Sequence, residues 1–321
     1  MRHADWGALS PRWAGIRSEE IDVCGTGVHY LSADAGHGGP VHLLVHPMAG
    51  SASMWLDLIA PLSALGPVIA PDLPGTLFGH TGSPHPRAAG AEPNARFLRA
   101  FTARLGIGGT ITHGWSMGAL VAVLFADSAP ERVGRLVLAA PVLPGPIPAD
   151  EVLFWRTAGR LLLAAGPPVA RAVLRLAGRR LLDLKLRMYV DPGIRHDGDV
   201  IGGDPSRLSP DMTALLAAEL RSAQPRRLGD AVTAFTSVLS ALFVDRSPLH
   251  RAIAGVSAPA LLLWGDQDGL VGEGTMGDLA GRRPDWEQRV FETYGHLLPL
   301  ETPGGYVEAV GRWLARGDSP P

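Results

Sequence analysis

The stretch that most restricts the fold of this chain is HGWSMGALVAVLFA, residues 113–126, in which Ser116 lies between two glycines. A strand-like run, GGTITHG, ends at its second residue, and an apolar helical pattern follows. Gly114 and Gly118 have no side chains that could clash where strand and helix nearly touch, so the pattern predicts a very tight turn. A serine at the apex of such a turn adopts a strained backbone conformation that projects its oxygen above the sheet. The competing interpretation is a serine that only caps the helix.

Apolar runs of strand type alternate with helical patterns along most of the chain. They occupy residues 41–46, 67–75, 108–114, 135–142, 258–268 and 286–296. Because the runs are rich in valine, isoleucine and leucine, we expect the α/β class, with a mainly parallel central sheet flanked by helices. Residues 145–250 break this alternation and read as several helices, one of them capped by Ser209 with Pro210 in its first turn. We therefore predict a core domain of residues 1–144 and 251–321 and a helical cap, or lid, of residues 145–250.

Charge and composition argue against several classes of protein. The net charge of −2 gives no global reason to expect nucleic acid or an anionic membrane as a partner. The single cysteine, Cys24, excludes an internal disulfide and a cysteine-based metal site, and we expect it to be a buried strand residue. No signal peptide is evident, and no window approaches the ~20 apolar residues of a spanning helix, since Pro167, Pro168 and several arginines break the best one. We expect two separate cap helices, residues 152–166 and 168–190, on either side of this break. We expect a cytoplasmic protein, and a homo-oligomer stays open.

A serine nucleophile needs a base, and the base needs a carboxylate that orients it. Downstream of Ser116, LLLWGDQDGLV places Asp266 and Asp268 after a strand of buried type, and VFETYGHLLPLETP places His296 in the loop after the last strand. The order serine, acid, histidine is the one expected for a nucleophile at a strand-to-helix turn. With these motifs the chain resembles the alpha/beta-hydrolase fold proteins of the lidded esterase, epoxide-hydrolase and haloperoxidase-like group, over about residues 20–315.

The resemblance implies which residues are catalytic. In that group the acid closes a Gly-x-x-Asp motif, which maps to residues 265–268 and selects Asp268, with Asp266 as the competitor. His296 matches a Gly-His that precedes Glu-x-Pro, in which Glu301 is expected to cap the final helix. Ser116, Asp268 and His296 would then form a catalytic triad.

The resemblance also implies an oxyanion hole made of two backbone N–H groups. One donor is Met117, at the start of the helix after Ser116. The other comes from HPMAGS, residues 46–51, where Pro47 stands in place of the usual glycine and has no N–H to donate. We therefore expect Met48 to be the second donor, with Ala49 behind it. His46 and Asp72 are expected to be structural, and His113 is a weaker candidate for the pocket.

The substrate is only partly predictable. An apolar, moderately bulky acyl pocket is suggested by side chains that core packing would explain equally well: Trp115, Ala49, Trp55, Phe154 and Trp155. The cap is basic between residues 155 and 190, where Arg171, Arg175 and Arg179 share helical spacing. This pattern is typical of a solvated face, and the alternative is a docking surface for an acidic carrier protein or a phosphate-bearing thioester.

The reaction implied by the resemblance is acyl transfer on a hydrophobic small molecule, by cleavage of an ester, thioester or lactone through an acyl-enzyme. No cofactor, metal or nucleic acid is implied. Relatives with the same nucleophile and base also act as cyclases, lyases or C–C hydrolases in small-molecule biosynthesis, and the triad residues do not separate these reactions. A non-catalytic ligand-binding protein on this fold is the third hypothesis.

Overall fold

The computed structural model describes residues 3, 5–36, 38–85, 87–190 and 202–317, and its centre is an eight-stranded sheet. The strands are β1 (Arg17–Val23), β2 (Thr26–Ala33), β3 (Val41–Val45), β4 (Val68–Pro71), β5 (Thr110–Trp115), β6 (Val133–Ala139), β7 (Ala260–Gly265) and β8 (Glu287–Phe291). Their spatial order is β1-β2-β4-β3-β5-β6-β7-β8. β2 pairs antiparallel with both its neighbours, β1 and β4, and the other pairs are parallel. The predicted α/β class with a mainly parallel sheet is confirmed, and each of the six apolar runs overlaps a strand.

Helices cover both faces of this sheet. They are α1 (Leu56–Leu62), α2 (Ala91–Arg104), α3 (Met117–Ser128), α4 (Ala149–Phe154), α5 (Arg160–Val190), α6 (Pro210–Ser222), α7 (Leu228–Leu239), α8 (Ser247–Gly255), α9 (Glu273–Arg282), α10 (Leu298–Glu301) and α11 (Pro303–Gly317). One apolar core lies under α2, α3, α8 and α9, and a second lies under α1, α10 and α11. β5 and β7 are buried along their whole length between the two cores, which explains the continuous apolar run of β7, while the polar side chains of β5 are buried with hydrogen-bond partners.

The cap helices α4 to α7 lie between β6 and β7, where an insertion was predicted. Ser209 caps α6, because its hydroxyl accepts the N–H of Met212 and Pro210 occupies the first turn. The predicted cap boundary at residue 250 falls inside α8, which packs against α3 of the core. The domain division therefore stays a prediction.

Two local expectations were wrong. Pro167 and Pro168 do not interrupt the cap helix, because α5 continues through them while packing against α6 and α7, and this packing outweighs the two missing N–H donors. Cys24 is not a buried strand residue. It is exposed and, with Gly25, forms the two-residue turn between β1 and β2, where both residues have positive φ angles.

Within the described residues, no single helix has both the length and the apolar character needed to cross a bilayer. Two consecutive helical segments, Leu228–Val244 and Ser247–Gly255, satisfy the length and composition test only when joined, and they meet at an angle of 82°.

Candidate active site

The turn between β5 and α3, residues 114–118, has the strained geometry that its sequence predicts, and we call it the elbow. Ser116 has φ 57° and ψ −119°, a conformation that L-residues rarely adopt. A Cβ atom on Gly114 would lie 2.5 Å from Ala119 Cα, and one on Gly118 would overlap the carbonyl oxygen of Val45 at the end of β3. Both glycines are therefore required by the close approach of strand and helix.

The side chains of Ser116, His296 and Asp268 form a continuous hydrogen-bonded chain. His296 Nε2 lies 2.8 Å from Ser116 Oγ, and His296 Nδ1 lies 2.9 Å from Asp268 Oδ2. All three residues are buried, with 5–8% of their surface exposed. In this arrangement the imidazole can take a proton from the serine while the carboxylate holds its other nitrogen.

The contacts of the two aspartates distinguish their roles. Asp268 Oδ1 accepts the backbone N–H groups of Leu270 and Val271 at 2.8 and 2.9 Å, which orients its second oxygen toward the imidazole. Asp266 is exposed, and its carboxylate accepts the N–H of Thr293 at 2.6 Å. The geometry therefore favours Asp268 over Asp266 as the partner of the histidine.

The segment His46–Ser51, which we call the oxyanion loop, follows β3 directly beside the elbow. A Cβ on Gly118 would also contact the His46 carbonyl, which shows how closely the loop approaches α3. Met117 is the first residue of α3, so its N–H has no intrahelical acceptor. Ala49 has a φ of 56°, so the backbone turns sharply just after Met48. The roles of Met117 and Met48 as oxyanion donors stay predictions.

Two other polar residues that the sequence singled out, His46 and Asp72, have structural contacts. His46 Nδ1 lies 2.8 Å from the Pro47 carbonyl, Nε2 accepts the N–H of Leu73, and burial lowers the pKa of this imidazole. Burial alone would raise the pKa of Asp72, but a hydrogen bond and charge from His29 hold it well below its ordinary value. Asp72 also accepts the N–H of Ala52 and so anchors the region that follows the oxyanion loop.

His113 belongs to a buried polar chain on the α11 side of the sheet. Its Nε2 lies 2.9 Å from Nδ1 of His42, and its Nδ1 lies 2.9 Å from the hydroxyl of Tyr306. Burial lowers the pKa of His113 well below the ordinary value and that of His42 to about 4. Both imidazoles are therefore neutral at physiological pH, and their hydrogen bonds join β3, β5 and α11.

The two tryptophans nearest the elbow in the core are packed against each other. Trp115 and Trp55 are buried, and their rings meet edge to face with centroids 5.9 Å apart. The indole N–H of Trp115 donates to the carbonyl oxygen of His296 at 2.9 Å, so the residue before Ser116 fixes the backbone of His296. These contacts account for both side chains, and their predicted contact with substrate stays a prediction.

A pocket of about 110 Å³ lies at the ends of β6 and β7, between the core and the cap. It adjoins the hydrogen-bonded chain, because Leu270 and Val271 hold Asp268 and the N–H of Val142 bonds to the Ser116 carbonyl. Within the described residues, its wall contains no charged side chain. The wall consists of Val142, Leu143, Pro144, Gly145, Pro146, Ile147, Leu242, Phe243, Leu270, Val271 and Thr275. An apolar group is the occupant that such a wall favours.

The predicted aromatic residues of the cap lie behind this wall. Trp155 stacks on Phe243, with ring centroids 4.7 Å apart and 15° between the planes, and so supports one side of the pocket. Phe154 meets Trp155 edge to face and is 45% exposed. Of the predicted loop residues, Ala49 packs beside Leu77 and the cap residue Ala223. Direct contact of these residues with substrate stays a prediction.

Glu219 of α6 is a site residue that the sequence did not reveal. Its Oε1 accepts the hydroxyl of Ser53 at 2.6 Å, and Ser51, the last residue of the oxyanion loop, lies 3.5 Å away. Its Oε2 is buried without a hydrogen-bond partner. Burial raises the pKa of Glu219 to about 7, with a smaller contribution from the negative charge of Asp72. The cap thus places a titratable carboxyl group against the oxyanion loop.

Glu301 was expected to cap the final helix, but its side chain bonds elsewhere. It is buried, and its two oxygens accept the N–H groups of Gly295, which precedes the catalytic histidine candidate, and of Asp204 in the cap. Arg207 lies 3.6 Å from the same carboxylate and donates to the Thr293 carbonyl. Burial raises the pKa of Glu301. This carboxylate therefore joins the cap to the loop that carries His296.

Backbone packing joins the same elements. A side chain on Gly202 would overlap the carbonyl of Gln267, in the loop of Asp268, and one on Gly295 would overlap the backbone of Gly203. We call the contact of residues 202–204 with Glu301 and these two loops the clasp. No local sequence pattern predicts it, because its partners lie about 65 to 100 positions apart.

The predicted arginine face is only partly within the described side chains. Arg171 lies against α7 and donates to the hydroxyl of Thr233 at 2.8 Å, so it is engaged inside the cap. The side chains of Arg175 and Arg179 lie outside the described residues. A carrier-protein docking role for the three arginines stays a prediction, and the contact of Arg171 does not support it.

Comparisons with known proteins give one family match and several similar proteins. A model of the alpha/beta hydrolase fold matches residues 40–303. A 2-hydroxy-6-oxononadienedioate/2-hydroxy-6-oxononatrienedioate hydrolase of Burkholderia vietnamiensis is 28% identical over 293 residues, covering 90% of this chain and 91% of that protein. The naproxen esterase of Bacillus subtilis has a TM-score of 0.67 at 19% identity, covering 96% and 95% of the two chains. The enol-lactonase of Burkholderia xenovorans LB400 has a TM-score of 0.63 at 19% identity, covering 92% and 100%. At these identities the two structures show a shared fold alone.

Proposed function

Because this chain belongs to the alpha/beta hydrolase fold family, we propose that it is a serine hydrolase that cleaves an ester, thioester or lactone of a hydrophobic small molecule. The observation that supports this most directly is the hydrogen-bonded chain from Ser116 through His296 to Asp268. Its serine occupies the strained position of the elbow, and its order along the sequence is the one expected for this fold.

In the proposed reaction, Ser116 Oγ attacks the carbonyl carbon while His296 Nε2 accepts the hydroxyl proton. Asp268, held by two backbone N–H groups, keeps Nδ1 protonated and stabilises the imidazolium that forms. The histidine then gives the proton to the leaving oxygen or sulfur, and the acyl-enzyme remains. Water attacks this acyl-enzyme with the same histidine as base, which releases the acid and restores the serine.

The oxyanion that forms in both steps needs hydrogen-bond donors. We assign this role to the N–H groups of Met117, at the N-terminus of α3, and Met48, in the oxyanion loop. One such donor typically lowers the barrier by about 3–4 kcal/mol. The buried position of Ser116 favours this effect, because electrostatic interactions are stronger where water is excluded.

The labelling test uses a fluorophosphonate probe, which reacts only with an activated serine. The wild-type protein should be labelled, Ser116→Ala should not be labelled, and Ser128→Ala should label like the wild type. Ser128 is a suitable control because it lies at the far end of α3 and is exposed. Labelling that persists in Ser116→Ala would move the nucleophile elsewhere, and absence of labelling in the wild type would refute the proposal.

The activity test uses p-nitrophenyl esters of increasing acyl length. Loss of the nucleophile should lower kcat by about 10⁴-fold or more. The uncharged pocket wall predicts that kcat/KM rises from acetate to medium acyl chains, because each buried methylene contributes about 0.8 kcal/mol. A flat response to chain length would remove the pocket from the proposed binding site.

A second candidate function is C–C bond hydrolysis, favoured by the 28% identity to a 2-hydroxy-6-oxononadienedioate hydrolase over 90% of the chain. A dioate carries two carboxylates, whereas the described pocket wall has no cationic side chain to bind them. We therefore place ester-type cleavage first. The two functions are distinguished by incubating the protein with 2-hydroxy-6-oxononadienedioate and measuring the loss of absorbance of this compound. Turnover faster than that of every ester tested would place C–C bond hydrolysis first.

A further inference from the structure

The solvent-facing side of α5 is apolar over more than four helical turns. Every exposed residue between 161 and 176 with a described side chain is alanine, proline, valine or leucine: Leu161, Leu162, Ala164, Ala165, Pro168, Val169, Ala172, Val173 and Leu176. We call this surface the cap stripe. Leu176 is 91% exposed and Leu161 69% exposed. At 1.5 Å per residue the cap stripe is roughly 23 Å long, and contiguous apolar patches of this kind mark interaction sites.

The cap stripe is not the outer side of an ordinary surface helix, because α5 has apolar side chains on its solvent-facing side as well as toward the cap interior, where Leu163 and Leu174 are half-buried. Arg171 lies on the inner side, where it bonds to Thr233 of α7, while leucine and valine face solvent. In a surface helix without a partner the arginine would be outside and the leucines inside. Leu153 and Phe154 of α4, 66% and 45% exposed, add to the apolar surface of the cap.

Charges around the cap stripe indicate what covers it. Arg156 and Arg160 are exposed at its beginning and Arg180 at its end. Between residues 152 and 182 the sequence contains six arginines, and its nearest acidic residues are Asp150 and Glu151 before this stretch and Asp183 after it. The overall charge of −2 therefore conceals a local cationic border. An apolar helix face bordered by arginine is the pattern that binds the surface of an anionic membrane, where apolar side chains enter the acyl boundary and arginines contact phosphate.

A second copy of the chain fits this surface less well. A two-fold contact through the cap stripe would bring the arginines of one α5 close to those of the other, with three acidic residues, Asp150, Glu151 and Asp183, against six arginines between positions 150 and 183. An isologous interface of this composition would therefore juxtapose like charges in a low-dielectric setting. A lipid surface has no such conflict, because it offers both the apolar medium and the opposite charge.

We propose that the cap stripe docks this protein onto an anionic lipid surface through Leu161, Val169 and Leu176, with Arg156, Arg160 and Arg180 on the headgroup phosphates. This attachment is peripheral, since the helix lies along the surface. It stands independently of the proposed catalytic function, because binding requires neither the nucleophile nor turnover.

The test is flotation of the full-length protein with vesicles in a density gradient. Vesicles of pure phosphatidylcholine are compared with vesicles that also contain phosphatidylglycerol, at low and high salt. The wild type should float with the anionic vesicles and detach as salt rises, because screening weakens the contribution of the arginines. Failure to float with anionic vesicles at low salt would overturn the proposal, and equal flotation with neutral vesicles would overturn the role of charge.

Variants separate the cap stripe from the rest of the surface. A triple variant with Leu161→Ser, Val169→Ser and Leu176→Ser should partition about tenfold or more less strongly, because three inserted apolar side chains are lost. The control is Val290→Ser in β8, which removes an apolar side chain that is 47% exposed on the core, away from the cap stripe. Arg156→Glu with Arg160→Glu should abolish the preference for anionic vesicles. The far-UV circular dichroism spectrum and the melting temperature of each variant verify its fold, so the flotation result does not depend on whether the wild type is labelled by the fluorophosphonate probe.

Sedimentation of the same proteins tests the alternative that a second copy of the chain covers the cap stripe. The wild type should be no more associated than the triple variant in the absence of lipid. A wild-type dimer that the triple variant loses, together with no flotation of either protein, would assign the cap stripe to a second copy of the chain and overturn the lipid proposal.

Discussion

Replacing Glu219 with glutamine should make the stability of this protein less dependent on pH. The carboxyl group is buried between α6 and the oxyanion loop, and one of its oxygens has no hydrogen-bond partner. Its pKa of about 7 compares with an ordinary value of 4.5, and burial is the main cause. The native protein therefore binds this proton more tightly than the unfolded chain does.

The sign and size of the effect follow from linkage. Because the pKa is raised on folding, the contribution of Glu219 to stability is greatest below pH 4.5 and is lost as pH rises to about 7. At about 1.4 kcal/mol per pH unit, the loss is roughly 3 kcal/mol above pH 7. Glutamine does not ionise and its oxygen still accepts the Ser53 hydroxyl. Glu219→Gln should thus exceed the stability of the wild type by less than about 1 kcal/mol at pH 5 and by up to about 3 kcal/mol at pH 8, about 5 °C in Tm.

The assay is thermal or denaturant unfolding of both proteins at several pH values between 5 and 8. Glu308→Gln is the matched control, because Glu308 is 64% exposed and paired only with Arg312 on the surface of α11. It should show no pH-dependent difference from the wild type. The reasoning is refuted if the stability difference between Glu219→Gln and wild type is the same at pH 5 and pH 8, or if the wild type is the more stable protein at pH 8.

Three further substitutions test the site. In the ester assay, Asp268→Asn should lower kcat by about 10⁴-fold, because the amide no longer holds the imidazole in its active tautomer. Its control, Asp266→Asn, should stay near the wild-type kcat, because the amide oxygen still accepts a backbone N–H. In unfolding experiments, Gly118→Ala should destabilise the protein by about 3 kcal/mol or prevent folding, since its Cβ would overlap the end of β3. The control is Gly277→Ala in α9, where a Cβ meets nothing within 4 Å, and it should raise the free energy of unfolding by about 0.5–1 kcal/mol. Glu301→Gln should lower kcat about tenfold with little change in KM, since the loop that carries His296 loses its hydrogen bond to the carboxylate. If kcat and the fraction of folded protein fall equally, Glu301 has only a structural role.

The fold and the hydrogen-bonded chain were predictable because each depends on a local pattern. The elbow is specified by five consecutive residues, and the strand before it and helix after it are readable from apolar periodicity. Asp268 and His296 each follow a strand of the parallel sheet, so the topology alone places them near Ser116 at the same sheet edge.

What the sequence did not reveal depends on contacts between distant segments. Glu219 reads as an ordinary polar residue of an amphipathic helix, and only its position against Ser53, 166 residues away, shows that it is buried. Glu301 similarly meets Asp204, 97 residues away. The continuous helix through Pro167 and Pro168 was missed for the same reason, because tertiary packing against α6 and α7 outweighs local propensity.

The clasp limits how the cap can be exchanged among proteins of this fold. Gly202 and Gly203 leave no room for side chains where they meet Glu301 and the loop of Asp268, and Glu301 bonds to both sides of the junction. A cap transplanted from another protein of this fold would therefore need a matching glycine pair, or it would displace the loops of Asp268 and His296 together. Recombination at this boundary should succeed only when the junction residues travel with the helices.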